Sequence, residues 1–338
     1  MKKNIIIGVG CGVILLAALV WLLFFASISS QKSSTFIDID ENDNIDSVYV
    51  KIKAATHAGI QMYGFKTAAF LTGYTQNIRT GHYEISPSTG SLRLLRKMKN
   101  GMQTPIRLTI PSVRTNERLA AELGKKLMAD SADIIRLLRD SAECAKYGCD
   151  TFDIMCLFVP NTYEIYWNIP LEKFMQRMQK EYNRFWTPER LRKAENTALT
   201  PKEVVTLASI IDEETANNAE KTDVAGMYLN RLHSGMPLQA DPTVKFALRQ
   251  FQLRRIYENM LSVKSPYNTY RNTGLPPGPI RIPSLAGIDA VLNYTHHDYL
   301  YMCAKEDFSG THRFAKTYTE HLANAKRYTE ALNQKGVK

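Results

Sequence analysis

The stretch TPKEVVTLASIIDEET, from Thr200 to Thr215, carries the clearest helix signal in the chain. Thr200 suits an N-cap, Pro201 suits the first helical position, and Glu203 can complete a capping box with the threonine. Apolar residues then recur at helical spacing, so we expect a helix with an apolar face in the core. Three consecutive acidic residues close this stretch, and their positions around the helix axis predict different surroundings for each.

Glu214 is the acidic residue that we expect to carry chemistry. At 100° per residue it falls within about 20–60° of Leu207, Ile210 and Ile211. Burial on that apolar face raises the pKa of a carboxyl group, as a general acid working near neutral pH requires. A structural glutamate paired with a buried arginine such as Arg231 fits the same position.

The other two acids lie on different faces of this helix. Glu213 aligns with Lys202 and Thr206 and is expected to face solvent, whereas Asp212 lies on a mixed face. Elsewhere the sequence contains no GxSxG, HExxH or Gly-rich phosphate motif, so neither a metal nor a cofactor is predicted. Asp241 is available as a second carboxylate for glycoside cleavage.

Near the start of the chain, the run IIIGVGCGVILLAALVWLLFFA (5–26) contains no charged residue. About 20 such residues span a bilayer core, whereas the apolar region of a cleaved signal peptide is about 7–15 residues long. We therefore expect a single transmembrane helix at 5–26. Because Lys2 and Lys3 precede it, residues 1–4 are expected in the cytoplasm and the rest of the chain outside the cytoplasmic membrane.

Beyond this anchor we expect an α+β protein with two folded parts. A polar stalk at 27–35 leads into a small module at 36–111, where short strands mix with helices. The segment 112–338 is mostly helical with a few short strands. It includes one long helix at 171–196 and a proline-rich irregular loop at 264–283.

Charge and cysteine content narrow the class of protein further. The formal net charge is +10, with many basic residues between Arg93 and Lys126, and the expected topology argues against nucleic acid as the partner. One cysteine lies within the apolar run. The four others allow three complete disulfide pairings or four free thiols; they are Cys144, Cys149, Cys156 and Cys303.

Four motifs resemble the MltG/YceG-like family of endolytic murein transglycosylases. They are ASIIDEET (208–215), YLNRLHSGMPLQADPTV (228–244), SPYNTYRNTGLPPGPIRIP (265–283) and THRFAKTYTEH (311–321). Together they are specific, and the anchor and small module stand in the order typical of the family. The resemblance implies a LysM-like, glycan-binding module at 36–111 and a YceG-like catalytic domain at 112–338.

The family's acid/base is the second glutamate of an ASxxExE-type motif, which corresponds to Glu214. The first acid of that motif is replaced by Asp212, and Asn161 replaces an acid in the segment LFVPNTY (157–163). Side chains expected to bind substrate are Arg231, Gln239, Asp241, Tyr267, Asn268, Tyr270 and His312.

The resemblance implies a lyase that cleaves the MurNAc–GlcNAc bond of nascent peptidoglycan strands and leaves 1,6-anhydro-MurNAc ends, which terminates strand elongation. Expected partners are the glycan strands and cell-wall synthases at the membrane. Two other functions fit the same residues. One is a non-catalytic, membrane-tethered scaffold that binds peptidoglycan for the synthases, and the other is a hydrolase that uses Glu214 and Asp241 as a pair.

Overall fold

The computed structural model describes residues 2–253 and 255–334. They form an α+β protein, as predicted, with two compact units. The first unit contains the chain up to residue 108 with the segments 126–129 and 163–170, and the second contains the remainder. Met1 of the predicted cytoplasmic tail and the last four residues of the predicted catalytic domain lie outside the described residues.

The first unit begins with the apolar helix α1 (Lys2–Phe24), of which Asn4–Phe24 is long and apolar enough to cross a membrane. The elements that follow are β1 (Thr35–Ile39), α2 (Ile45–Thr56), α3 (Gln61–Leu71), a 3₁₀ helix (Tyr74–Gln76), β2 (Gly81–Ile85) and α4 (Ser91–Lys99). Strands β1 and β2 pair antiparallel around a core of their own.

Residues 27–30 of the predicted stalk are packed onto this module. Ile28 is only 1% exposed, and its N–H donates to the carbonyl oxygen of Thr89 at 2.8 Å. The N–H of Ser30 donates to the carbonyl oxygen of Thr56 at 3.0 Å. These contacts leave a much shorter free connection than the stalk predicted at 27–35.

Helix α2 forms although its β-branched and aromatic residues favour a strand. The structure shows the helix signal that outweighs this preference. Asn44 caps the helix by accepting hydrogen bonds from the N–H groups of Asp46 and Ser47, and the helix buries Val48 and Ile52 at helical spacing.

The two short segments that join the first unit come from the predicted catalytic domain. In them, the N–H of Met128 donates to the carbonyl oxygen of Trp167 at 2.9 Å. The side-chain amide of Asn168 donates to the carbonyl oxygen of Thr80 at 3.1 Å. The compact units therefore do not divide the chain at a single residue.

Strands β3 (Ile106–Thr109) and β4 (Thr162–Ile165) pair with each other, and most of their residues belong to the first unit. The second unit is mostly helical. Its helices are α5 (Asn116–Gly124), α6 (Ser131–Arg139), α7 (Ser141–Ala145), α8 (Leu171–Phe185), α9 (Pro188–Asn196), α10 (Pro201–Glu214), α11 (Lys221–His233), α12 (Asp241–Ala247), α13 (Leu285–Leu292) and α14 (Tyr318–Gln334), with 3₁₀ helices at Ile154–Leu157 and Glu258–Ser262. An antiparallel hairpin of β5 (Tyr301–Ala304) and β6 (His312–Ala315) precedes α14.

The single long helix predicted at 171–196 is wrong, since α8 and α9 are separate. Pro188 has no N–H to continue the helical ladder, and it disfavours helical geometry at the residue before it. Thr187 instead caps α9 by accepting a hydrogen bond from the N–H of Arg190. This Thr-Pro pair is the same start signal as Thr200-Pro201.

Helix α10 is the central element of the second unit. The predicted capping box is present, with the N–H of Thr200 donating to Glu203 Oε2 at 2.8 Å. Every residue from Val204 to Ile211 is buried, so the helix is enclosed on all sides rather than on a single face. Its last residue, Glu214, is partly buried.

All four cysteines beyond the apolar helix are free thiols in the structure. Cys144, Cys149 and Cys156 are buried, and burial raises the pKa of the Cys149 thiol to about 12.

Replacement of Thr200 tests the capping box. We expect Thr200→Ala to lower the free energy of unfolding by about 1 kcal/mol, because the N–H of Glu203 loses its side-chain acceptor. Thr200→Ser keeps the hydroxyl and is the matched control. The measurement is urea unfolding followed by circular dichroism, and equal midpoints for the alanine variant and the wild type would contradict the assignment.

Candidate functional site

An open cavity of about 230 Å³ lies at the end of α10. Its walls come from α10, α11, the loop before α12, the proline-rich loop and the hairpin β5–β6. Six residues singled out from the sequence line it: Glu214, Arg231, Gln239, Asp241, Tyr270 and His312.

Glu214 is the last residue of α10, and its Oε1 accepts a hydrogen bond from the hydroxyl of Tyr228 at 2.7 Å. Desolvation raises the pKa of this carboxyl group to about 7, although the hydrogen bond from Tyr228 acts in the opposite direction. The negative end of the helix dipole also disfavours a carboxylate here. Near neutral pH the group therefore exists in both forms, as an acid that later acts as a base requires.

Tyr228 is the main site residue that the sequence analysis did not single out. It is fully buried on α11, and burial raises the pKa of its hydroxyl well above the usual range, so the hydroxyl stays a donor. A signal was available, because Tyr228 precedes Arg231 by three residues and residues at that spacing share a helix face.

Arg231 holds the walls of the cavity together. Its buried guanidinium donates to the carbonyl oxygens of Leu300 at 2.6 Å and Leu238 at 2.9 Å, and to Gln239 Oε1 at 3.2 Å. A third carbonyl, that of Pro237, accepts at 3.1 Å. Among the described residues Arg231 makes no ion pair with Glu214, so the Glu214–Arg231 pair considered from the sequence is wrong.

Asp241 and Tyr270 form one side of the cavity. Asp241 is exposed at the first position of α12, and its Oδ1 accepts a hydrogen bond from the hydroxyl of Tyr270 at 2.6 Å. Gln239 has φ of 52°, which is uncommon for a residue with a side chain. Its N–H donates to the carbonyl oxygen of Thr269 at 3.1 Å, which holds this turn against the proline-rich loop.

His312 stands on β6 and is fixed by Glu220. Glu220 Oε1 accepts from the N–H of His312 at 2.5 Å, and Oε2 lies 3.1 Å from the ring Nδ1. Strand β5 adds Met302, Cys303 and Ala304 to the same wall. The sequence analysis assigned none of these three residues to the site.

Tyr267 and Asn268 do not line this cavity. The ring of Tyr267 packs on Phe246, with centroids 4.6 Å apart, beside a separate cavity. Asn268 is fully buried, and its amide donates to the carbonyl oxygens of Leu261 and Val263 at 2.9 Å each. Its side-chain oxygen accepts from the N–H of Tyr270 at 3.0 Å, so Asn268 orients a cavity residue from behind.

Glu213 does not face solvent as predicted from the sequence. Arg114 donates to both of its oxygens at 2.8 Å, and Arg281 donates to Oε1 at 3.0 Å. The alignment of Glu213 with Lys202 and Thr206 was uninformative because α10 is enclosed on all sides at its centre.

The side chain of Asp212 is buried and holds the start of α13. Its Oδ1 pairs with Lys221 Nζ at 2.7 Å, and its Oδ2 accepts from the N–H of Ser284, the N-cap of α13, at 2.5 Å. Gly287 is required beside it, since a Cβ atom there would lie 2.6 Å from Asp212 Oδ1. Asn161, in the segment LFVPNTY, is exposed, and its side chain accepts from the N–H of Thr162.

Two relatives share a name, endolytic murein transglycosylase. The one from Bacillus subtilis (strain 168) is 37% identical over 165 residues, which cover 49% of this chain and 45% of the relative. The one from Streptococcus pneumoniae serotype 2 (strain D39 / NCTC 7466) is 26% identical, covering 90% of this chain and 60% of the relative. The chain thus spans less than two thirds of the length of each.

The fold also resembles a solved structure. The crystal structure of a yceG-like protein from Listeria monocytogenes matches with a TM-score of 0.56 and 26% identity, over 87% of this chain and 99% of that one. The model of the YceG-like family matches residues 37–327, and it covers the cavity around Glu214. This match takes in most of the chain, and the protein therefore belongs to the YceG-like family.

Proposed function

We propose that the protein is an endolytic murein transglycosylase, a lyase that cleaves the MurNAc–GlcNAc bond within nascent peptidoglycan strands and so terminates their elongation. The observation that carries the proposal is the carboxyl group of Glu214, held at an open cavity with its pKa raised to about 7. The shared name of the relatives supports the same activity.

In the proposed reaction, protonated Glu214 donates its proton to the glycosidic oxygen as the bond from that oxygen to C1 of MurNAc breaks. The carboxylate then accepts the proton of the MurNAc 6-hydroxyl as its oxygen bonds to C1. The products are a 1,6-anhydro-MurNAc end and a new GlcNAc 4-hydroxyl, and Glu214 is protonated again. The step consumes no water, so a single carboxyl group is sufficient.

The hydrogen bond from Tyr228 leaves one oxygen of Glu214 directed to substrate. We assign Gln239, Asp241, Tyr270 and His312 to binding of sugar hydroxyl and acetamido groups, because their polar atoms border the same cavity. Arg231 and Asn268 are positioning residues in this proposal, since their hydrogen bonds go to the protein's own backbone and side chains.

The proposal includes a place in the cell. Helix α1 serves as a single membrane anchor with its start in the cytoplasm. The chain after α1 then lies outside the cytoplasmic membrane, beside nascent strands and their synthases. We assign glycan binding to the small LysM-like module. This module has a core of its own, formed by β1, α2, α3 and β2, as an accessory module requires.

Glu214→Gln tests the acid/base. We expect the variant to lose at least about 100-fold in the rate of cleavage, because an amide can neither donate nor accept the reaction's proton. Glu213→Gln changes the neighbouring residue in the same way and is expected to keep most of the activity. The assay uses the full chain in nanodiscs with uncrosslinked glycan strands, and mass spectrometry reads the ends.

The ends also separate the alternative functions. Ends with 1,6-anhydro-MurNAc support the transglycosylase, whereas reducing ends indicate a hydrolase that uses Glu214 with Asp241. Glycan binding by the wild type without any cleavage would favour the scaffold. Full activity of Glu214→Gln would remove Glu214 from the mechanism.

The pH dependence of kcat/KM tests the contact with Tyr228. Because cleavage begins with protonated Glu214, activity should fall as the pH rises through about 7. Tyr228→Phe removes a hydrogen bond that favours the carboxylate, so the fall should move to higher pH. The hydroxyl of Tyr270 donates to Asp241 rather than to Glu214, so Tyr270→Phe should leave the pH of this fall unchanged. An unchanged pH profile in Tyr228→Phe would contradict the contact between Tyr228 and Glu214.

The raised pKa of Glu214 also makes a prediction about stability. Folding raises this pKa from an ordinary 4.5 to about 7, so the wild type loses stability as the pH rises between these values. Relative to the wild type, Glu214→Gln should therefore become more stable from pH 5 to pH 8, by at most about 3 kcal/mol. Urea unfolding at both pH values measures the difference, and a difference independent of pH would argue against a desolvated carboxyl group.

A further inference from the structure

The end of α1 is joined tightly to the small module. The carbonyl oxygen of Leu23 lies so close to α3 that a Cβ atom on Gly64 would be 2.0 Å from it. The carbonyl oxygen of Phe25 similarly lies 2.7 Å from the place of a Cβ atom on Gly90. Glycine is needed at both positions because any side chain would push the helix end away. The module therefore cannot swing freely on the anchor.

The length of α1 sets the depth of this junction. The apolar helix Asn4–Phe24 has 21 residues. At about 1.5 Å per residue it is about as long as the hydrocarbon core of a bilayer is thick, which is roughly 30 Å. Leu23 then lies at the boundary between hydrocarbon and headgroups. Gly64, which touches it, lies at the same depth.

The exposed side of α3 is apolar where it leaves this junction. Tyr63 is 70% exposed, Phe70 and Leu71 are 75% exposed, and Ile60 just before the helix is 42% exposed. Tyr63 and Phe70 are seven residues apart and so share one face of the helix. On the surface of a soluble protein, a cluster of large apolar side chains marks a contact site for protein or membrane.

The charge around this face suits an anionic lipid surface. Residues 57–101 contain six Lys and Arg residues but a single acidic residue, Glu84. Lys53 and Lys66 flank a cavity that also contains Tyr63, and Arg93 and Arg96 are exposed on α4, the helix that starts beside Phe25. Basic and aromatic side chains together are typical of helices that lie in the membrane interface.

We propose that the membrane face of the module, defined as Ile60, Tyr63, Phe70 and Leu71, lies in the headgroup region of the outer leaflet of the cytoplasmic membrane. The surrounding basic residues contact lipid phosphates. This inference rests on the proposed membrane anchor. Continuity between α1 and α3 favours the bilayer over a second protein chain as the occupant of this face.

Nitroxide labels in the full chain, reconstituted in nanodiscs with anionic lipid, test the proposal. Single cysteines replace Tyr63, Phe70 or Leu71 in a background carrying Cys11→Ser and Cys303→Ser. Glu41→Cys is the control, since Glu41 is exposed in an acidic turn at the end of α2 opposite to Thr56. The readout is the collision rate of each label with oxygen, which partitions into lipid, and with a water-soluble nickel chelate.

Labels on the membrane face should show an oxygen-to-nickel ratio several-fold higher than the label at position 41. Equal ratios at positions 41, 70 and 71 would overturn the proposal. Shielding from both reagents would also overturn it, since it would mean that protein covers the face. These three side chains are exposed, so their replacement leaves the core intact.

A label on native Cys11, in the middle of α1, separates this inference from the anchor itself. If that label is shielded from nickel while labels at positions 70 and 71 are accessible to it, the result supports the membrane anchor and contradicts only the proposed membrane face. If the label on Cys11 is open to nickel, the proposed anchor fails and the membrane face fails with it.

Discussion

Desolvation of a single carboxyl group is the constraint around which the second unit is organised. Helix α10 is enclosed by the core from Val204 to Ile211, and it ends at the cavity, where the hydroxyl of Tyr228 donates a hydrogen bond to Glu214. An enclosed helix cannot rotate or shift to expose its last residue. The surroundings of Glu214 therefore follow from the packing of the whole unit. An acid with a pKa near 7 is a property of this packing.

The three consecutive acids of α10 have three different roles, which are set by the residues around them. Successive residues point about 100° apart, so each carboxyl group meets a different neighbour. Asp212 fastens the start of α13 with Lys221, and Glu213 is held by Arg114 and Arg281. Both are paired with cations. Glu214 alone has no cation within ion-pair distance among the described residues, and so the cost of burial acts on it undiminished by a salt bridge.

The sequence predicted those parts of the structure that depend on local signals. The capping box at Thr200 belongs to this class, as does the apolar helix near the start of the chain. The split between α8 and α9 was also readable, because Thr187-Pro188 repeats the start signal of α10. By contrast, the roles of Asp212 and Glu213 depend on partners 9 to 99 residues away in the chain, and helical angles say nothing about such partners.

Within the candidate site, the motifs identified most of the residues that line the cavity. They did not show which residues face the cavity and which support it from the core. Tyr267 and Asn268 stand in the same motif as Tyr270, yet a side chain that points into the core cannot be told from one that points outward when the segment lacks a regular period. Tyr228 was overlooked for a related reason, since a buried aromatic residue on a helix usually reads as core. Only the three-dimensional structure shows that its hydroxyl ends at Glu214.

The hydrogen bonds of Arg231 have a consequence for how the cavity responds to acidity. Its acceptors are three backbone carbonyls and one side-chain amide, none of which titrates. A guanidinium group itself stays protonated at any pH that a cell experiences. Arg231 therefore joins parts of the cavity wall through contacts that acid and base leave unchanged, while the carboxyl group of Glu214 beside it changes its charge near neutrality. Uptake of a proton by Glu214 leaves these contacts of Arg231 in place.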